Sequence, residues 1–378
     1  MKRTHYILGL ITMILVFLTG CNQTAETDVQ TQAEAGYKIG IVTPTVTTSE
    51  DEFRGAAEMV EKYPDHVVHV TLPENFDTDI QGCISQITGL ADDPAMKAIL
   101  VNSGQQGLLP AFKTIRETRP DILTIAGTND DPALMNEMVD ISLGTDWIRR
   151  GVTIPTKAHE MGAKTFVHYS FPTHMASQTV SGRRDKMKET VEALGMTWVE
   201  ELTPDPQTGN GTAAMLQFLR EDIPRKVEQY GTDLNIFGSN CPMYDVILDE
   251  AFKEKFIVAE QCCPTPTQAY PTVLNLEITP EDLGNYDKIN GMIEEKAAEA
   301  GMTGRLSGWK MPSQVYLPQF EVELAKYMIE NEKTTEDVLN KEFLDQFSQE
   351  AMGTGADFEK AGEDLDNYYL LILEDIYY

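Results

Sequence analysis

The feature that most constrains the fold is a regular alternation of short β-rich runs with segments of helical periodicity between residues 37 and 259. Such alternation predicts βαβ units, in which helices cover both faces of a parallel sheet. The predicted strands are 37–43, 66–72, 98–101, 122–126 and 139–143 in a first series and 165–169, 197–202, 234–237 and 256–259 in a second. We therefore predict an α/β protein with two doubly wound parallel-sheet lobes.

The two series of strands also set the expected domain boundaries. We expect an N-terminal lobe at 37–146 and a C-terminal lobe at 147–300. Residues 301–378 are then a crossover back to the first lobe, followed by extra C-terminal helices. Between residues 365 and 376 the apolar side chains recur at a spacing that suits a helix docked on the body.

The N-terminus has the ordered features of an export signal. Lys2 and Arg3 are basic, and residues 7–18 form an apolar run that is short for a membrane span. The run ends in the sequence LTGC at 18–21, which resembles the bacterial lipobox. The alternative, a buried strand that happens to meet a cysteine, does not account for this order of charge, apolar run, small residues and cysteine.

The lipobox resemblance implies that residues 1–20 are a lipoprotein signal peptide and that Cys21 carries the lipid, with palmitate among the acyl chains. Residues 21–36 are rich in Thr, Gln, Ala and Glu, a composition typical of a flexible tether. We therefore expect a protein anchored by lipid to the extracytoplasmic face of the cell membrane.

The charge balance argues against nucleic acid as a partner. The chain has 30 Lys and Arg residues against 60 Asp and Glu residues, a formal net charge of −30. Such a surface repels phosphate backbones. The predicted export signal also occupies the position where a repressor would carry its DNA-binding helices.

Polar residues follow the predicted strands at the points where the strands end. Ligands of open parallel sheets bind beyond these carboxyl ends, and amides, hydroxyls and aromatic rings suit a small polar ligand. Residues of this kind also form ordinary turns, but as a set they predict a binding cleft. The candidate ligand-binding residues of this set are Thr43, Thr45, Asn102, Ser103, Gln105, Asn129, Tyr169, Phe171, Asn240 and Gln261.

The order of elements resembles the type I periplasmic-binding-protein superfamily, which includes ribose-binding proteins. Residues 139–200 carry the resemblance with VDISLGTDWIRRG, then EMGAKTF and SGRRDKMKETVEALGM, and IFGSNCPMYDVILDEAF is a second match. The resemblance implies that Asp146 binds ligand at the first crossover between the lobes. It also implies that the charged guanidinium group of Arg183 donates hydrogen bonds to the ligand. Arg184 is an equal candidate if the register differs by one residue. Both arginines could instead form surface ion pairs.

The chain departs from the superfamily pattern in three places. Asn240 stands where the family has an acidic residue, residues 309–318 match the third crossover only loosely, and extra helices follow. An uncharacterised group of bacterial surface lipoproteins within the superfamily fits these features more closely.

The resemblance implies a solute-binding protein rather than an enzyme. Two lobes close on a small polar ligand, sugar-like first and nucleoside or amino acid next, and the closed form delivers it to an ABC permease. The alternatives are a surface sensor that feeds a signalling receptor and a secreted enzyme on a doubly wound fold. A neighbouring gene for a permease would favour import, and one for a histidine kinase would favour sensing.

The histidines and cysteines predict no metal site and no cofactor. His159, His168 and His174 lack zinc-ligand spacing. Of five cysteines, Cys21 is assigned to lipid, which leaves Cys83, Cys241, Cys262 and Cys263 for disulfides outside the cell. Cys241 and either Cys262 or Cys263 follow consecutive predicted strands, so one pair could form a bond beside the cleft. An anaerobic source could leave all four thiols reduced.

Overall fold

The computed structural model describes residues 36–76, 78–103, 106–127 and 132–378. A seven-stranded sheet with its helices forms the first lobe, and its strand order is β10-β11-β5-β4-β3-β1-β2. All neighbouring pairs are parallel except the edge pair of β10 and β11. The strands are β1 (Lys38–Thr43), β2 (Val67–Thr71), β3 (Met96–Val101), β4 (Leu123–Gly127), β5 (Ile141–Thr145), β10 (Ala356–Lys360) and β11 (Tyr368–Leu373).

Helices cover both faces of this first sheet. Ile39 and Ile41 of β1 belong to the apolar cluster on one face, and Val42 of the same strand belongs to the cluster on the other face. This is the pattern of strands that are buried on both sides. The helices of this lobe are α1 (Glu50–Lys62), α2 (Ile80–Leu90), α3 (Leu109–Thr118), α4 (Pro132–Met138), α12 (Ser313–Glu330), α13 (Thr335–Val338) and α14 (Lys341–Met352), with a 3-10 turn at Gln106–Leu108.

The second lobe is built around a parallel sheet in the order β7-β6-β8, from β6 (Thr165–Ser170), β7 (Thr197–Leu202) and β8 (Leu234–Gly238). Parallel bridges at Ile257 and Leu306 extend it on the β8 side. Its helices are α5 (Arg150–Glu160), α6 (Pro172–Met175), α7 (Gln178–Ala193), α8 (Gly211–Tyr230), α9 (Tyr244–Glu254), α10 (Tyr270–Val273) and α11 (Tyr286–Glu299), with 3-10 turns at Cys241–Met243 and Pro280–Asp282.

The chain passes between the lobes at three places. The first passage runs from β5 to α5 through Asp146, and the second follows β9 (Ser307–Trp309). The third joins β11 to β12 (Asp375–Tyr377), which pairs with β9 in an antiparallel direction. Two doubly wound lobes with three crossovers and extra helices near the C-terminus confirm the predicted fold class.

The C-terminal segment corrects one prediction. Residues 365–376, expected to form a docking helix, contain strand β11 and part of β12 instead. The run YYLLIL of β11 enters the first sheet beside β5, and five of its six residues are buried. A continuous apolar run is compatible with either a buried strand or a buried helix, so spacing alone misassigned it. Among the residues that the structure describes, none of the helices has the length and hydropathy of a membrane span.

Candidate functional site

A cavity of about 570 Å³ lies between the lobes, beyond the carboxyl ends of strands from both sheets. Helix α1 and the start of α12 form its wall on the first lobe. Loops after β8 and after the bridge at Ile257 form the facing wall. The residues at these walls include Ser49, Glu50, Asp51, Arg54 and Gln314 on the first side and Cys241, Cys263, Thr265, Thr267 and Gln268 on the second.

The first-lobe wall is strongly charged. Glu50 and Asp51 occupy the first turn of α1, where carboxylates favour the positive end of the helix dipole. Arg54 pairs with Glu50 at 2.6 Å on the next turn. Burial raises the pKa of Asp51, and the neighbouring charge of Glu50 raises it further. This wall therefore offers one cation and closely spaced carboxylates to a ligand.

The second-lobe wall is a loop that the buried side chain of Gln261 organises. Its Nε2 donates to the carbonyl of Gln268 at 2.9 Å, and its Oε1 accepts from the backbone N–H of Thr265 at 3.1 Å. The hydroxyls of Thr265 and Thr267 are 2.7 Å apart. Gln261 thus shapes the loop that presents hydroxyl and amide groups to the cavity.

Three cysteines from this wall form a compact cluster. The Sγ atoms of Cys241 and Cys263 are 3.1 Å apart, and all three Sγ atoms, that of Cys262 included, lie within 4.8 Å of one another. None of the four cysteines in the described part of the chain is in a disulfide. The expectation that Cys241 lies near Cys262 or Cys263 beside the cleft is confirmed. A disulfide between them stays a prediction.

Positive charge surrounds the buried member of the cluster. Arg183 places Nη2 3.7 Å from Sγ of Cys262, and Arg150 donates to the Cys262 carbonyl at 2.7 Å. Hydrogen bonds from Cys241 and Cys263, with the fields of both guanidinium groups, hold the pKa of Cys262 well below its usual value. The hydrogen bond with Cys262 raises the pKa of Cys241, and the hydrogen bonds with Cys241 and Cys262 raise the pKa of Cys263.

A buried ion network lies at the crossovers. The guanidinium carbon of Arg150 in α5 lies 5.0 Å from the ring centroids of both Trp147, in the first crossover, and Trp309, the last residue of β9 before the second. Lys157 on the same helix pairs with Asp375, which begins β12 after the third crossover. Glu260 accepts from both cations, so residues from all three connections meet in one cluster.

Two predicted ligand residues follow β1. Thr43 is fully buried, and its hydroxyl contacts the Pro44 carbonyl and Nε2 of His69, each at 2.8 Å. Thr45 is partly exposed and bonds the hydroxyl of Thr47 at 3.0 Å in the following turn.

Two further predicted residues follow β3. Asn102 is fully buried and donates to Oε2 of Glu321 at 3.0 Å. Ser103 has a φ of 60° and donates to Oε2 of Glu52 at 3.0 Å. Gln105 and Asn129 lie outside the described residues, as does Cys21.

Asp146 lies at the first crossover, as predicted, and both of its carboxylate oxygens are occupied. Oδ1 accepts from the backbone N–H of Arg149 at 2.8 Å, and Oδ2 accepts from Nε of the same residue at 2.9 Å. Arg149 also pairs with Asp357. Asp146 therefore holds Arg149, the residue before α5, and Arg149 ties this turn to β10 through Asp357.

The predicted aromatic residues of the second lobe are buried. Tyr169 donates its hydroxyl to Asp222 of α8 at 2.9 Å. Phe171 stacks on His174 with the ring centroids 4.9 Å apart.

Arg183, the predicted charged donor, lies 5.2 Å from the ring centroid of Phe237 and turns toward Cys262. Arg184 pairs with Glu200 at 3.0 Å. Asn240 immediately precedes the 3-10 turn that carries Cys241. None of the predicted ligand residues that the structure describes contributes to the cavity surface itself, and they stay predictions.

The residues that sequence reasoning missed are the acidic turn of α1 and the loop from 265 to 268. An acidic run such as 50–52 is typical of a solvated helix face, and nothing in its pattern distinguishes it from one. The structure places it opposite the cysteine loop.

Comparison with known proteins gives a family without an assigned activity. The model of a family described as protein of unknown function, DUF3798, matches residues 37–307. An uncharacterized protein of Treponema pallidum (strain Nichols) is 34% identical over 184 residues, which are 47% of this chain and 83% of that protein.

Solved structures resemble the chain to different degrees. A Clostridium difficile 630 protein, provisionally named a transcriptional regulator, has a TM-score of 0.88 at 38% identity and covers 91% of this chain and 99% of its own. A periplasmic ribose ABC transporter protein from Conexibacter woesei DSM 14684 has a TM-score of 0.48 at 14% identity, over 78% of this chain and 86% of its own.

Proposed function

Because the chain belongs to the DUF3798 family of proteins of unknown function, which supplies no activity, we propose from its geometry that it is a solute-binding protein. The observation that carries the proposal is the cavity of about 570 Å³ whose walls come from both lobes. Ligand pockets of small molecules have volumes of about 300–1,000 Å³ and lie preferentially between domains. A ligand in this cavity would contact both lobes at once.

The three crossovers supply the hinge for such a protein. Closure of two lobes on a ligand needs a few connecting residues that absorb the movement while each lobe stays rigid. The network of Arg150, Lys157 and Glu260 holds the three connections together at one place. Ligand binding then favours the closed arrangement because only that arrangement offers contacts from both walls.

The lining favours a small polar ligand. Arg54, Glu50 and Asp51 on one wall and the hydroxyl and amide groups of Thr267 and Gln268 on the other suit paired hydroxyls. Sugar-like ligands come first, and nucleosides or amino acids come next. The proposal extends to lipid anchoring through Cys21 and delivery to an ABC permease. We also propose that Asp146 and Arg183 take part in ligand binding.

A ligand screen by thermal shift tests the proposal. Full-length protein in detergent is melted with sugars, nucleosides and amino acids, since a ligand at about 100 times its Kd stabilises the native state by about 2.7 kcal/mol. We expect a hit whose shift is lost in Arg54→Ala. The matched control is Arg220→Ala, which removes an arginine from another helix-surface ion pair, with Asp249.

A screen without a hit, or a shift that survives Arg54→Ala, would contradict the proposed site. Turnover of the hit would instead favour the enzyme alternative. We do not carry a DNA-binding role over from the name of the Clostridium protein. The net charge of −30 on this chain opposes contact with the phosphates of DNA.

A further inference from the structure

We propose that Cys241, Cys262 and Cys263 bind one thiophilic metal ion with a closed d-shell, zinc(II) or copper(I), on the cavity wall. Thiolates select these ions over hard cations such as magnesium and calcium. The proposal goes beyond solute binding and does not depend on it, because the metal needs no organic ligand in the cavity.

The positions of the sulfurs carry the inference. Three bonds of about 2.3 Å to one zinc ion separate the sulfurs of a tetrahedral site by about 3.8 Å. The Sγ atoms of the cluster lie within 4.8 Å of one another, and those of Cys241 and Cys263 are 3.1 Å apart. Side-chain rotations therefore suffice to place all three sulfurs around one ion.

The backbone holds the sulfurs close for a topological reason. Cys241 begins the 3-10 turn after β8, and Cys262 and Cys263 follow the segment that bridges to β8 through Ile257. Parallel neighbours end at the same edge of a sheet, so the two loops emerge side by side. The buried ion pair of Arg150 with Glu260 and its bond to the Cys262 carbonyl fix the second loop.

The surrounding charge suits a thiolate site. Arg183 reaches Sγ of Cys262, so one guanidinium group balances negative charge on the cluster. When a metal binds, the thiols of the three cysteines lose their S–H protons to solvent and each of the three sulfurs gives a lone pair to the ion. Three thiolates on zinc(II) leave a net charge of −1, which Arg183 offsets.

The site has an open side. Cys241 and Cys263 line the cavity, whereas the Cys262 residue is only 7% exposed. A three-cysteine zinc site keeps its fourth position for water or another ligand, and here that position faces the space between the lobes. Gln268 lies on the same wall.

The test is a metal titration of full-length protein reduced under anaerobic conditions, with Cys21→Ala in the parent protein and in every variant so that the parent has only the thiols of Cys83, Cys241, Cys262 and Cys263. Cobalt(II) is the spectroscopic probe for zinc, and chromogenic chelators measure the competition for zinc(II) and copper(I). We expect one equivalent of metal with sulfur-to-cobalt charge transfer. Cys241→Ser and Cys263→Ser should each weaken binding at least about tenfold, because loss of even an outer partner of a ligand costs this much.

Cys83→Ser is the matched control, because Cys83 belongs to a separate apolar cluster in the first lobe. It should leave the stoichiometry and the affinity unchanged. A melt of each variant identifies loss of fold, and the partly exposed Cys241 provides the variant with the least structural cost. Binding of less than one equivalent, or binding that persists in Cys241→Ser/Cys263→Ser, would overturn the proposal. The affinities for zinc(II) and copper(I) obtained from the two competitions tell which ion the site prefers.

Discussion

Arg150 and Glu260 form an ion pair in which neither side chain is exposed to solvent. Nε of Arg150 donates to Oε1 of Glu260 at 2.7 Å, and Lys157 donates to Oε2 at the same distance. One carboxylate therefore compensates two cations of α5 in the interior. Since buried charges are tolerated only when they are paired and hydrogen-bonded, Glu260 is the electrostatic centre of the crossover region.

Glu260→Gln is expected to destabilise the protein by about 3–5 kcal/mol, the range for a buried pair that loses one charged partner. Arg150 and Lys157 would remain in the interior with Asp375 as the remaining carboxylate of the network. The measurement is the free energy of unfolding from denaturant titration at neutral pH.

The control for this prediction is Glu299→Gln. Glu299 pairs with Lys296 at 2.8 Å on the exposed face of α11, and a surface pair of this kind contributes at most about 1 kcal/mol. If both variants lose the same small amount, Glu260 does not have the role assigned to it.

Gly55→Ala is expected to destabilise the protein by about 1–3 kcal/mol through overpacking. A Cβ at Gly55 would lie 2.6 Å from the carbonyl oxygen of Val315, because α1 and α12 cross closely at this point. The clash should also shift the cavity wall that α1 carries. Gly291→Ala, in helix α11 with nothing within 4 Å of the added atom, should instead stabilise by about 0.5–1 kcal/mol. Denaturant titration of both variants checks that their changes in the free energy of unfolding have opposite signs.

The strand–helix alternation could be predicted because a strand buried on both faces is a nearly continuous apolar run. β1, expected at 37–43, is found at Lys38–Thr43, and β6, expected at 165–169, is found at Thr165–Ser170. β11 has the same kind of run, yet it follows predicted helices rather than a crossover, and its partner β5 is more than 200 residues earlier. Local periodicity carries no information about such a pairing.

The candidate site was less predictable for a related reason. Position after a strand indicates which residues reach the right edge of the sheet, but not whether a side chain faces the cleft or the core. Asn102 turns inward to Glu321, 219 residues later, and Tyr169 turns to Asp222. The proximity of Cys241 to Cys262 or Cys263 could be predicted because these residues follow consecutive predicted strands.

Cys21→Ala is expected to move the protein from the detergent-rich phase to the aqueous phase in a phase-separation assay. A lipid on Cys21 would supply the membrane affinity, at about 0.8 kcal/mol for each buried methylene. Cys83→Ala should remain in the detergent-rich phase. The intact mass of the wild-type protein should show loss of residues 1–20 and addition of acyl chains. An unmodified mass, or membrane association that persists without Cys21, would contradict the lipobox interpretation.

Glu321 of α12 and Asn102, which follows β3, form a buried polar pair in the first lobe. Burial raises the pKa of Glu321 well above its usual value of 4.5. Among the described residues, neither Oε1 of Glu321 nor Oδ1 of Asn102 has a hydrogen-bond partner. Both oxygens lie over Gly127, 2.4 Å and 2.6 Å from the position of a Cβ there. Protonation of Glu321 would give Oε1 a hydrogen to donate toward Oδ1, while Asn102 Nδ2 donates to Oε2 at 3.0 Å.

Glu321→Gln is therefore expected to keep this paired arrangement and to remove its dependence on pH. In the wild type the unfolded chain loses the Glu321 proton above about pH 4.5, whereas the folded chain retains it. The unfolded state then binds fewer protons, so this group lowers the stability by up to about 1.4 kcal/mol per pH unit from pH 4.5 up to the folded-state pKa. Denaturant titration between pH 4.5 and 8 should show that the advantage of Glu321→Gln over wild type grows with pH. The control is Glu342→Gln, at an exposed position of α14, whose free energy of unfolding should change with pH in parallel with that of wild type. A difference in free energy between Glu321→Gln and wild type that stays constant with pH would show that Glu321 is ionised in the folded protein.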